Sequence, residues 1–120
     1  MPKPVRFVPT KKMAENAARG LDLRAKHGRG GTHVGVARAE QLIAREPLEP
    51  KDIKSMYSYF ARHAVDKQGR FWADPARPSA GYIAWLLWGG DAGQKWAEEH
   101  KKAIEKAKNE TKMRRFTQSH

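Results

Sequence analysis

The run Tyr82-Ile83-Ala84-Trp85-Leu86-Leu87-Trp88 constrains this chain more than any other stretch. It is too short to span a membrane and too apolar to lie on a surface, so the rest of the chain has to bury it. Pro78-Ser79 precedes it and Gly89-Gly90 follows it. Ser79 suits a helix N-cap, and glycine supplies the left-handed geometry that ends a helix. The run is therefore expected to be the central helix of a small helical domain. Asp91 is expected to cap the next helix, with Gln94 in capping-box spacing. Trp88 and Trp96 flank the turn between the two, and each indole N–H needs a partner if buried.

Apolar periodicity supplies the other helices. Thr10 caps a first helix reaching about Lys26, with Met13, Ala14, Ala17 and Leu21 at helical spacing. Gly20 weakens its middle. Thr32 caps a second helix over about 33–45. Glu46-Pro47-Leu48-Glu49-Pro50 breaks it, and Pro50 opens a third whose inner positions are Ile53, Met56, Tyr57, Phe60, Ala61 and Val65. Its outer face shows Lys51, Lys54, Ser55, Ser58, Tyr59 and Arg62. Asp66-Lys67-Gln68-Gly69 reads as a turn. A last helix is expected from about Ala92 to Asn109, with Trp96, His100, Ala103, Ile104 and Ala107 as its apolar stripe. The fold class is all-α: a compact bundle of four or five helices, helix-turn-helix-like around the 46–50 break, with basic extended termini. The central run is expected to pack on the face from Ile53 to Phe60. The chain divides into an extended basic arm (1–9), a helical domain (10–109) and a basic tail (110–120).

Charge bounds the function. There are 24 lysines and arginines against 13 acidic residues, a formal net charge of +11. Such an excess favours polyanionic partners. Residues 1–30 hold eight basic and two acidic residues, so the excess is weighted to that end. The chain has no cysteine, which removes disulfides and thiolate chemistry and fits a reducing compartment. The first residues lack the apolar core of a signal peptide, and no run is long enough to cross a membrane.

Three places could hold a polyanion. In Arg29-Gly30-Gly31-Thr32, glycines let a backbone approach a phosphate beside a helix N-terminus. The competing account is a turn that needs glycine before an N-cap. The sequence is not a P-loop, because no Gly-Lys-Ser/Thr follows at the required spacing. The second place is the outer row Lys51, Lys54, Ser58 and Arg62, which would face nucleic acid in a helix-turn-helix reading and is otherwise a solvated face. The third is the pair of basic, aromatic ends, Arg6-Phe7 and Arg114-Arg115-Phe116, suited to base stacking beside phosphate contacts. Trp88-Gly89-Gly90-Asp91-Ala92-Gly93 is not read as a phosphate loop, because Asp91 would repel the ligand. No histidine has zinc-helix spacing. His63 with Asp66 and Arg62 has acid–base potential, but no nucleophile–base pattern accompanies it. Neither a catalytic residue nor a metal or cofactor is expected.

Several segments taken together resemble a small module of tailed-bacteriophage proteins: Arg29-Gly30-Gly31-Thr32 with Val34-Gly35-Val36-Ala37-Arg38-Ala39, Tyr57-Ser58-Tyr59-Phe60-Ala61-Arg62-His63 with Val65-Asp66-Lys67, and Pro78-Ser79-Ala80-Gly81 with Ile83 to Gly93. The resemblance covers roughly residues 18–97. It implies phage origin and attaches no activity and no functional residue. The expected role is non-enzymatic binding of DNA or RNA, mainly through phosphates, by Arg29, Gly30, Gly31, Thr32, Lys51, Lys54, Ser58, Arg62, Arg114 and Arg115. The alternative is a phage protein–protein module: a virion component, or a factor binding a host transcription or replication protein. The expected location is the host cytoplasm or the virion, with no membrane partner.

Overall fold

The computed structural model describes residues 6–118, with side chains described as far as Arg114. It is an all-α bundle of five helices: α1 (Lys11–His27), α2 (His33–Ile43), α3 (Pro50–His63), α4 (Ala80–Leu87) and α5 (Gly90–Gln118), with a 3₁₀ turn at Ala64–Gln68 between α3 and α4. The starts follow the sequence chemistry. The hydroxyls of Thr10, Thr32 and Ser79 accept from the N–H groups of Met13, Val34 and Tyr82 at 3.2, 3.2 and 3.0 Å. Pro50 stands at the first turn of α3, and the Glu49 N–H donates to Asp52 Oδ2 at 2.9 Å.

Helix α4 lies at the centre, as its apolar run requires. Ile83, Trp85 and Leu87 are almost fully buried. Each such side chain contributes about 1.5–3 kcal/mol through its removal from water. Its main neighbour is α1 rather than the expected face of α3. Gly20 explains why. A Cβ at that position would lie 2.9 Å from the Leu87 backbone nitrogen, so glycine lets α1 and α4 approach closely. The glycine that reads as a weak point in α1 is thus its packing surface. Helix α3 packs chiefly on α5 and reaches α4 through an edge-on contact of Phe60 with Trp85, centroids 4.8 Å apart.

The expected helix-turn-helix pairing of α2 with α3 is absent. Helix α2 packs on α1 and α4, and the backbones of α2 and α3 do not pack on each other. The six residues between them are long enough to separate the helices, and an Arg38–Asp52 ion pair at 3.1 Å joins them instead.

The turn between α4 and α5 departs from the capping expectation. Gly89 and Gly90 have φ of +110° and +65°, and the Gly89 carbonyl accepts from Asn16 Nδ2 of α1 at 2.8 Å. Helix α5 already begins at Gly90, so Asp91 is inside it. The Asp91 carboxylate takes the Trp85 indole N–H at 2.9 Å and the Lys67 ammonium at 2.6 Å. Asp91 therefore partners the buried indole and ties the 3₁₀ turn to the helix.

The two ends differ from each other: the described part of the arm is extended and docked, whereas the tail is helical. Phe7 exchanges two backbone hydrogen bonds with Leu48, at 2.8 and 2.7 Å, and its ring lies 4.6 Å from that of His100. Residues 1–5 of the arm lie outside the described residues. Helix α5 runs past Asn109 to Gln118, because nothing after Gly93 breaks it: the segment holds no further glycine or proline and is rich in Lys, Glu and Ala.

Candidate nucleic-acid interface

Helix α3 positions the expected row. Lys51, Lys54, Ser58 and Arg62 recur every three or four residues, which stacks them on one side of a helix. With Ser55, Tyr59, His63 and Trp88 they line an open cleft of about 430 Å³. Lys54 and Arg62 form no ion pair among the described residues. Lys51 lies 3.8 Å from Glu49 but remains largely exposed.

The packing of α3 on α5 adds lysines that the α3 pattern does not contain. The Lys108 ammonium beside Lys54 is the largest cause that pushes its pKa down, with Lys101 contributing more weakly and the Glu105 carboxylate opposing the shift. The α3–α5 seam thus gathers three lysines around one carboxylate, Glu105, an excess of positive charge. Lys101 itself is bonded to Glu105 and lies over the Tyr57 ring, 4.4 Å from its centroid. The seven-residue spacing of Lys101 and Lys108 on one side of α5 is a signal the sequence carries. Their meeting with Lys54 is tertiary.

A second cleft, of about 390 Å³, adjoins the first and is lined by Gly31, Thr32, Val34, Asp66, Ala80, Gly81 and Ala84. The two share the walls Tyr59, His63 and Trp88. These rings form a column: Tyr59 stacks on Trp88 at 4.4 Å and 6°, and on His63 at 4.6 Å and 28°. Trp88 is the buried end, and the His63 side chain is 47 % exposed. His63 Nδ1 is 3.2 Å from Asp66 Oδ2. The Tyr59 hydroxyl is buried with no hydrogen-bond partner among the described residues. Burial first, and then the Asp66 charge, push its pKa upward, so the phenol stays protonated.

The structure brings part of the expected site together. Gly31 and Thr32 line the second cleft, which shares the aromatic column with the α3 row. Arg29 is less available, because its guanidinium donates to the Pro78 carbonyl at 2.8 Å and fastens the loop to the start of α4. The loop glycines also have a packing reason. A Cβ on Gly30 would lie 2.5 Å from Ile83, and one on Gly31 2.7 Å from Leu87. The Thr32 hydroxyl is engaged as the α2 cap. Arg114 does not join the row: it lines a shallow cleft whose other walls, such as Lys106 and Glu110, all belong to α5. The Arg115 side chain lies outside the described residues. Among the described residues no group of three His, Cys, Asp or Glu side chains could hold a metal ion.

No family model, curated protein or solved structure matches the chain. Fold and site together define a five-helix protein with a basic face built on α3 and α5 and an aromatic column at its edge.

Proposed function

We propose that this protein binds nucleic acid without catalysing a reaction, mainly through phosphate contacts from Lys51, Lys54, Ser58 and Arg62. The observation that carries the reading is the α3 row itself: Lys51, Lys54, Ser58 and Arg62 line one open cleft, and neither Lys54 nor Arg62 forms an ion pair among the described residues. A phosphate backbone following the row would meet all three cations. Gly31 and Thr32 border the site, whereas Arg29 serves mainly to hold the loop. The partner is DNA or RNA in the host cytoplasm or the virion of a tailed phage, an origin that rests on the segmental resemblance alone. No described helix is long and apolar enough to cross a membrane.

Anisotropy of labelled DNA and RNA, titrated against salt, tests this. The expected result is binding whose logarithmic salt slope is roughly 0.7–0.9 per phosphate contacted, with Lys54→Ala lowering that slope by about one. Absence of binding at low salt would overturn the reading.

One observation favours a second reading, a protein–protein module. A mainly apolar groove of about 710 Å³ runs along α5, walled by Phe7, Pro50, Ala103, Ile104 and Ala107 together with Lys108, Thr111 and Lys112. A protein complex that survives nuclease would support it.

A further inference from the structure

We propose that the aromatic column seats an unpaired base, which makes the partner single-stranded rather than duplex nucleic acid. This rests on the nucleic-acid reading above and deepens it. The argument begins with the different chemistry of the two clefts that the column separates. The α3 cleft is walled by Lys51, Lys54 and Arg62 and suits phosphates. The cleft by α4 has Asp66 as the one carboxylate among its walls and no lysine or arginine. A carboxylate there repels phosphate but accepts from the N–H groups on a base edge. A strand whose backbone follows α3 would therefore turn its bases, not its phosphates, toward Asp66.

The column provides the stacking surface between these clefts. Trp88 and Tyr59 form its inner part, and His63 is the exposed end ring. Stacking on such a ring tolerates any base, because every base has a π-face. Asp66 holds the imidazole by its Nδ1, which limits rotation of the ring. Gly81 admits Asp66 to this position: a Cβ there would lie 3.0 Å from Asp66 Cβ and 3.3 Å from its Oδ2. In a duplex the bases are already stacked and paired, so only phosphates would be available to this surface.

The test compares a labelled mixed-sequence single strand, the same strand in duplex, and an abasic strand of equal length. The wild-type protein should bind the single strand about tenfold more tightly than either other probe. His63→Ala should bring the ratio of single-strand to duplex and to abasic affinity down to about one, and His63→Phe should restore that ratio. His63 ends α3 and is half exposed, so neither variant should unfold the protein; near-ultraviolet circular dichroism of the tryptophans checks this. Equal wild-type affinity for all three probes would overturn the base seat and leave phosphate binding intact. So would a single-strand preference that His63→Ala does not alter. Failure to bind any probe would remove both readings.

Discussion

Asp91 shows how one side chain can serve differently from its local pattern. It stands where an N-cap is expected, yet it bonds the Trp85 indole and Lys67. Asp91→Ala should cost about 1–3 kcal/mol in urea unfolding, because it leaves a buried N–H without a partner. Asp91→Asn keeps an acceptor and should recover most of the loss. Partial burial alone would raise the Asp91 carboxyl, but the bonds from Lys67 and Trp85 outweigh it, and the net shift is downward from 3.8. Asp52 is likewise depressed: burial opposes the shift, but the Glu49 N–H and Arg38 prevail. With folded values below unfolded ones, both groups stabilise the protein above about pH 3.8 and lose that contribution as pH falls through the folded values. Acid titration of Asp91→Asn should therefore show a shallower loss of stability than the wild type. Gly20→Ala tests packing with the opposite sign from propensity. On an open helix the change would stabilise by about 1 kcal/mol, whereas against the Leu87 backbone it should destabilise by about 1–3 kcal/mol. Neither partner was legible in sequence, because Lys67 and Leu87 reach these residues only after the chain folds.

Helices were the most legible elements, because their signals are local. Thr10, Thr32 and Ser79 cap where their chemistry says they should. Which helices pair was less legible: a periodic apolar face shows that α3 is buried on one side, but not that α5 rather than α4 covers most of it. The site divides in the same way. The α3 row was readable from spacing, and Tyr59 stood beside it, but the column needed Trp88 from beyond α4 and the crowded cations needed Lys108 from α5. The seam between α3 and α5 carries its own prediction. Lys108→Ala removes the largest cause of the lowered Lys54 pKa, so that pKa should rise in an NMR titration. The same change should weaken nucleic-acid binding, since one cation of the seam is lost. A Lys54 pKa that does not move would refute this account of the seam.

Across the whole molecule, the +11 charge is not distributed as a uniform coat. The structure places part of it beside an aromatic column and part of it along the distal half of α5. Composition alone favoured a polyanion, but it did not distinguish backbone contact from base contact, because that difference depends on which rings the fold leaves open. Helix α5 also sets the overall dimensions. Its 29 residues reach about 43 Å at 1.5 Å each, and the molecule measures 64 × 29 × 21 Å. Its radius of gyration is 16.9 Å, against about 14 Å for a compact chain of this length. Friction follows from that shape. One copy should diffuse more slowly than a sphere of 13.6 kDa, and a sizing column calibrated with round proteins should overstate its mass. Sedimentation equilibrium, which does not depend on shape, should return a smaller mass than the column for the same early-eluting peak.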